Sequence, residues 1–249
     1  MIYSGLVSVT FRHMTAEEVV ILTKKAGLDG IEWGGDKHVP HGDTQRAEKV
    51  RKLTERAGLK VVAYGSYYRV GEQNDFTFEQ VLKSAKALKA PIIRVWAGKL
   101  ASSEANEEYW NDVVNDSIRI ATAAKEENIE IAFEFHKNTL TDTNESCLEL
   151  LKRVNEVNVK SYWQPSQDMN VEERISGLEA VLPLLSHIHV FHWGNGEKFP
   201  LAQGLNEWKQ YMDVIKKAEG DRYAMLEFVR DNSIEQFFDD AATLKEIIS

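Results

Sequence analysis

The stretch IAFEFHKNTLTDT, residues 131–143, concentrates the residues of this chain best able to do chemistry. Read as a strand running into a loop, it alternates its side chains between two faces. One face carries Ile129, Ile131, Phe133 and Phe135; the other carries Glu130, Ala132, Glu134 and His136. A parallel strand covered on both faces is normally apolar on both. A buried carboxylate needs a hydrogen-bonding partner, a counter-charge or a metal. Glu134 and His136 therefore point to a site at the C-terminal end of a barrel strand. The plainer alternative is that Glu130 and Glu134 are salt-bridged structural carboxylates.

Polar residues of the same kinds recur where other apolar runs end. Arg12 and His13 follow the first run. Glu32 and Trp33 close the second, with His38 and His41 beyond. Tyr64, Tyr67, Tyr68 and Arg69 close the third, and Arg94 and Trp96 the fourth. Gln164, Gln167 and Asp168 follow the sixth, His189 and His192 mark the seventh, and Glu227 the eighth. Of the seven histidines, all but His187 lie at or just after a predicted strand end. Tyr64, Tyr67, Tyr68, Trp33, Trp96 and Trp193 could wall a pocket for a small polar ligand; packing at a barrel rim is their simpler role. Glu134, Gln164, His189 and Glu227 come from four consecutive predicted strands. Two carboxylates, one amide oxygen and one imidazole suit Mn²⁺, Mg²⁺ or Co²⁺ better than Zn²⁺, in a site open to water or substrate.

The elements that must position these residues are legible in the periodicity. Strands are predicted at Gly5–Phe11, Gly30–Trp33, Lys60–Tyr64, Ile92–Trp96, Ile129–Phe135, Ser161–Gln164, His187–Phe191 and Tyr223–Phe228. Stripes at helical spacing follow, such as Ala47, Val50, Leu53, Ala57 and Phe78, Val81, Leu82, Ala85, Leu88. Glycines just past a stripe (Gly27, Gly58, Gly220) predict helix ends. Thr15 and Asp75 are predicted to cap helix starts. Eight strand–helix units in 249 residues, about one per 31 residues, predict a single (β/α)₈ TIM barrel spanning residues 1–249. The rival, a doubly wound open sheet, normally has a glycine-rich phosphate turn after its first strand; here that position reads Thr10-Phe11-Arg12-His13.

Composition narrows the partners. A net charge of -9 argues against holding duplex DNA by phosphate neutralisation. The single cysteine, Cys147, excludes a disulfide frame and a thiolate metal cluster. Neither a basic-then-apolar leader nor a span long enough for a membrane is apparent, so a cytoplasmic protein without a membrane partner is expected. A homo-oligomer is compatible with the sequence.

Together these residues resemble the xylose isomerase-like TIM barrels, a group of sugar isomerases, ketose epimerases and related lyases. GIEWGG (30–35) and IRVWAG (93–98) look like the second and fourth strands of that family. SVTFRH, IRVWAG and EFHKNTLTDT are most similar to its 3-dehydroshikimate dehydratase branch. The resemblance implies a metal held from the fifth to eighth strands, with Glu134, His189 and Glu227 at three of the four positions. The sixth strand departs: YWQPSQ puts Gln164 where the family has an acid and Gln167 where it has a histidine. On the seventh, His192 stands where an Asp is common. DNA-repair endonucleases of the same superfamily resemble the chain less.

The resemblance implies a divalent-metal-dependent isomerase or epimerase of a small sugar or keto-polyol, acting through proton abstraction and a metal-bound enediolate. Glu134 and Glu227 would be ligands and the acid–base pair. Arg94 and His136 would stabilise substrate oxygens, and Lys137 is a further electrostatic candidate. Two alternatives stand beside it: a metal-dependent dehydratase of the 3-dehydroshikimate type, and a barrel that binds a sugar-like ligand without turnover.

Overall fold

The structure, a computed structural model, describes residues 1–194 and 196–249. Eight parallel strands close into a barrel: Ile2–Val7, Gly30–Gly34, Lys60–Arg69, Ile92–Trp96, Glu130–Glu134, Val159–Trp163, Leu185–Val190 and Arg222–Leu226. They follow one another around the ring in chain order. The first pairs with the last, from Ile2 opposite Arg222 to Leu6 opposite Leu226. Helices alternate with them: α1 (Ala16–Lys25), α2 (Thr44–Arg56), α3 (Phe78–Leu88), α4 (Glu107–Lys125), α5 (Asn144–Val154), α6 (Val171–Val181), α7 (Leu205–Ile215) and α8 (Ile234–Ile248). The (β/α)₈ architecture is the one the strand–helix alternation predicts. No described helix is long and apolar enough to cross a membrane.

The alternation of the fifth strand is as expected. Ile131 and Phe133 are fully buried in the layer between strands and helices. Ala132 faces the barrel interior with Val7, Val62, Ala63, Ile92, Tyr162 and Met225. Each fully buried large apolar side chain of the outer layer contributes about 1.5–3 kcal/mol, which keeps the helices docked. Glu130, near the opposite end of the strand, stays half-exposed.

Local chemistry sets the boundaries and corrects several. The first strand begins at Ile2, and Ser8–Phe11 forms a 3₁₀ turn rather than strand. Its start is fixed by Asp29, whose carboxylate accepts from both the backbone N–H and the hydroxyl of Ser4. Thr15 caps α1 as expected: its hydroxyl accepts from the Glu18 N–H, and the Glu18 carboxylate accepts from the Thr15 N–H. The cap of α3 is Thr77, not Asp75, because Gln80 completes the same reciprocal box with it. Gly27 and Gly58 adopt positive φ directly after the caps of α1 and α2, as a helix stop requires, whereas Gly220, also at positive φ, lies five residues beyond the end of α7, in the turn before the eighth strand. The third strand runs on to Arg69 through a bulge, since Gly65 pairs with Arg94 and Arg69 with Trp96. Tyr67, inside the bulge, takes φ 56°. After the seventh strand, Trp193–Gly194 and Glu197–Lys198 form a short antiparallel ribbon.

Candidate active site

The strand ends open into a cavity of about 320 Å³. Its apolar walls are Tyr67, Trp96, Phe135, Phe191, Trp193 and Phe228, and Arg12, His136, Lys137 and Asp168 stand around it. Three of the six aromatics expected in the walls are therefore elsewhere. Trp33 donates its indole N–H to Thr54 in the outer layer, at 3.1 Å. Tyr64 donates to the Val39 carbonyl, and Tyr68 to Asp116. His38 and His41 also lie outside the cavity: His38 bridges Ser8 and the Met14 carbonyl, and His41 stacks on Phe76.

At the base of the cavity, three oxygens converge on one ring nitrogen. Nδ1 of His189 lies 3.2 Å from Oε1 of Gln164, 3.3 Å from Oε2 of Glu227 and 3.4 Å from Oε1 of Glu134. One ligand atom from each of Glu134, His189 and Glu227 falls within 4.8 Å of the others, and all three residues are buried. Gln164 is held with its amide nitrogen donating to the Phe135 carbonyl at 2.6 Å, which turns its oxygen toward the same point. The four residues singled out from four successive strands are thus brought together.

Beneath them lies a charge cluster that pairs Arg94, expected from the sequence to meet substrate oxygens, with Glu32 and Glu134 instead. Glu32, on the second strand, is fully buried. It accepts from Arg94 Nε at 2.7 Å and from the Tyr162 hydroxyl at 2.5 Å, and faces Nε2 of His189 at 3.3 Å. The other arm of Arg94 donates to Oε2 of Glu134, which also takes the Trp96 indole N–H at 2.5 Å. Burial alone would raise the Glu32 and Glu134 carboxyls, but Arg94 and His189 outweigh it and hold both well below the usual range. Burial pulls His189 down, but the Glu227 and Glu32 carboxylates lift it well above the ordinary histidine value. Gly65 is part of this design. A Cβ there would come within 2.7 Å of both Arg94 Nη2 and Glu32 Oε1, so the pair can form only beside glycine.

Arg94 is therefore a buried, doubly paired residue, and only its Nη2 lacks a partner among the described residues. His136 sits at the cavity wall, half-buried, its Nδ1 donating to the Lys137 carbonyl and its ring 4.9 Å from that of Trp96. Lys137 is exposed at the rim. Asp168 and Gln167 also line the cavity. His187, one step deeper in the barrel than His189, is held by burial at a pKa of about 4, against Tyr162 and Tyr223.

The donor set fits a divalent cation. Glu32, Glu134 and Glu227 bring three negative charges and Arg94 one positive, so a doubly charged ion would neutralise the cluster with His189 uncharged. Nδ1 of His189 would face that ion while Nε2–H donated to Glu32, the carboxylate–histidine pairing that commonly orients metal-binding imidazoles. Oxygen donors and a single nitrogen favour a hard or intermediate ion.

The family description "xylose isomerase-like TIM barrel" matches residues 20–247. A 3-dehydroshikimate dehydratase of Bacillus anthracis is 24% identical over 92% of this chain and 91% of its own length. The solved structure of a probable 3-DHS dehydratase of petrobactin synthesis, also from Bacillus anthracis, superposes with a TM-score of 0.82, at 22% identity, over 98% of this chain and 99% of its own. A D-psicose 3-epimerase from Clostridium cellulolyticum H10, solved with D-tagatose, superposes at 0.72, with 14% identity and 99% of each chain covered. The IOLI protein, solved with a bound zinc atom, gives 0.74, with 14% identity over 99% of this chain and 98% of its own.

Proposed function

The chain belongs to the xylose isomerase-like TIM barrel family, and from that premise we propose that its barrel mouth is a metal-dependent active site that removes a proton beside a carbonyl. The observation that carries the reading is the convergence of Glu134, Gln164 and Glu227 oxygens on Nδ1 of His189. These four residues would hold the ion. When bound, a divalent ion supplies Lewis acidity that polarises a substrate carbonyl and acidifies the adjacent C–H.

The two carboxylates are not equivalent. Oε2 of Glu134 is occupied by a guanidinium and an indole N–H. A carboxylate so held is a weak base. Among the described residues, Glu227 has only His189 against one of its oxygens. Glu227 is therefore the proton acceptor, and Glu134 is a ligand.

One working base favours elimination over epimerisation, because inverting a carbon needs acid–base groups on both faces. We therefore set the dehydratase reading first: loss of a proton beside the carbonyl of a cyclic keto acid, followed by loss of a hydroxyl. The names of the Bacillus anthracis relatives agree with it. As the imidazolium, His136 would keep Nδ1–H on the Lys137 carbonyl and give its Nε2 proton to the departing hydroxyl, which leaves as water, and Lys137 stands beside it. Arg94 fixes Glu32 and Glu134 and acts on the site through them. The aromatic walls suit a ring-shaped substrate and exclude water. The isomerase or epimerase remains the second reading. Gln164 and Gln167 favour it, since neither can supply a proton to a leaving hydroxyl.

Purified protein with Mn²⁺ and 3-dehydroshikimate should develop the ultraviolet absorbance of a conjugated product. The rival outcome is a silent dehydratase assay with deuterium uptake from D₂O into an interconverting pair of keto sugars, which would reverse the order. Neither activity, with Mn²⁺ bound, would leave a binding barrel.

Gln164 offers a separate check. Gln164→Glu keeps the reach and adds a negative charge at the fourth corner, so Mn²⁺ should bind about tenfold more tightly, roughly 1.4 kcal/mol. Calorimetric titration reads this directly, and an unchanged affinity would remove Gln164 from the ligand set and bring Asp168 forward.

A further inference from the structure

Trp96 is held from more than one side. Its ring has the Arg69 guanidinium carbon 4.4 Å from its centroid, the His136 ring at 4.9 Å, and Tyr67 edge-on at 5.3 Å. Arg69 is pinned in turn. Its Nη1 donates to the Gly98 carbonyl at 2.9 Å, and its backbone N–H donates to the side-chain oxygen of Asn74. Among the described residues no carboxylate pairs with this guanidinium, so its charge is directed at the indole. A cation over an indole face is attracted by the ring's negative π-cloud. It draws density from the ring and makes the edge N–H a stronger donor. That N–H is the one held by Oε2 of Glu134.

We infer that Arg69, acting through Trp96, works with Arg94 to fix which oxygen of Glu134 is offered to the bound divalent ion. With Oε2 taken by Trp96 and Arg94, only Oε1 faces the point where Gln164, His189 and Glu227 meet. Arg69 is a positioning residue: it lies outside the ligand set and works by holding one carboxylate to a single-oxygen contact. Partners that orient metal ligands typically matter by about 10–100-fold in affinity.

The inference rests on the metal site proposed above. Its test is a two-residue cycle read by Mn²⁺ calorimetry and by the Mn²⁺ electron paramagnetic resonance spectrum. Arg69→Gln and Trp96→Phe should each weaken Mn²⁺ by about tenfold and alter the zero-field splitting, as a carboxylate left to Arg94 alone changes its mode of contact. The double variant should be no worse than Trp96→Phe alone. Arg69→Lys, which keeps a cation at the indole, should stay within about threefold of the parent. Unchanged or tighter binding in Arg69→Gln overturns the inference. So does a full additional loss in the Trp96→Phe background, or a loss in Arg69→Lys as large as in Arg69→Gln. A parent protein that takes up no Mn²⁺ overturns the metal site itself, and this inference with it.

Discussion

Glu227→Gln should lower turnover by about 10²–10⁴-fold even at saturating Mn²⁺, the usual consequence of losing a general base. Glu134→Gln should behave differently. It removes a charged ligand, so Mn²⁺ should bind at least about tenfold more weakly, ~1.4 kcal/mol per factor of ten. The glutamine oxygen can still accept from Arg94 and Trp96, so the local frame persists while the amide NH2, which cannot ligate, takes the place of the oxygen that faced the ion. Once metal is raised to saturation, Glu134→Gln should recover to within about tenfold of the parent rate, because its oxygen held by Arg94 and Trp96 was never free to accept a proton. Steady-state rates as a function of Mn²⁺ separate the two cases. Equal, unrecoverable losses in both variants would mean that the carboxylates work as a pair, and the epimerase reading would then lead.

Arg94→Met should destabilise the fold by about 3–5 kcal/mol, the range for breaking a buried ion pair by removing one partner. The reason is geometric. Glu32 is 0% and Glu134 3% exposed, and among the described residues Arg94 is the only guanidinium that reaches either. Methionine fills much the same volume, so the lost charge rather than a void should dominate. Adding Glu32→Gln to Arg94→Met should restore part of the loss, since it removes one stranded carboxylate. Saturating Mn²⁺ should restore part as well, by binding the folded form alone. Urea denaturation with chelator and with metal measures all of these. A loss below about 1 kcal/mol would place the stabilisation in the surrounding hydrogen bonds instead.

Much of this arrangement is legible in the sequence, for identifiable reasons. Glu134, Gln164, His189 and Glu227 stand out because each is polar at the end of an apolar run, and eight such ends in sequence order imply convergence in a closed ring. Glu32 occupies a similar place yet gives no separate signal. Its importance comes from Arg94, 62 residues away, and the two meet across the interior rather than between neighbouring strands. Gly65, which makes room for that meeting, reads in sequence only as a break in a strand. The walls are only partly legible because tyrosines 64, 67 and 68 are alike in sequence, and the bulge decides which of them turns into the cavity. Asp75 and Thr77 are both good cap residues; Gln80 settles the choice by pairing with Thr77.

The closure of the ring has a consequence for how the protein comes apart. Glu32 and His189 are 157 residues apart; Glu32 and Glu134 sit on the second and fifth strands and Glu227 directly after the eighth. The four ligands come from the fifth to eighth strands, but Glu32 and Arg94, which hold His189 and Glu134, come from the second and fourth, so the supported site exists only once both halves of the ring are in register. A contact completed that late is absent from the folding transition state. A bound ion would therefore leave the speed of folding nearly untouched and act almost entirely as a brake on unfolding, so the loaded barrel would owe its lifetime to its slowness in opening.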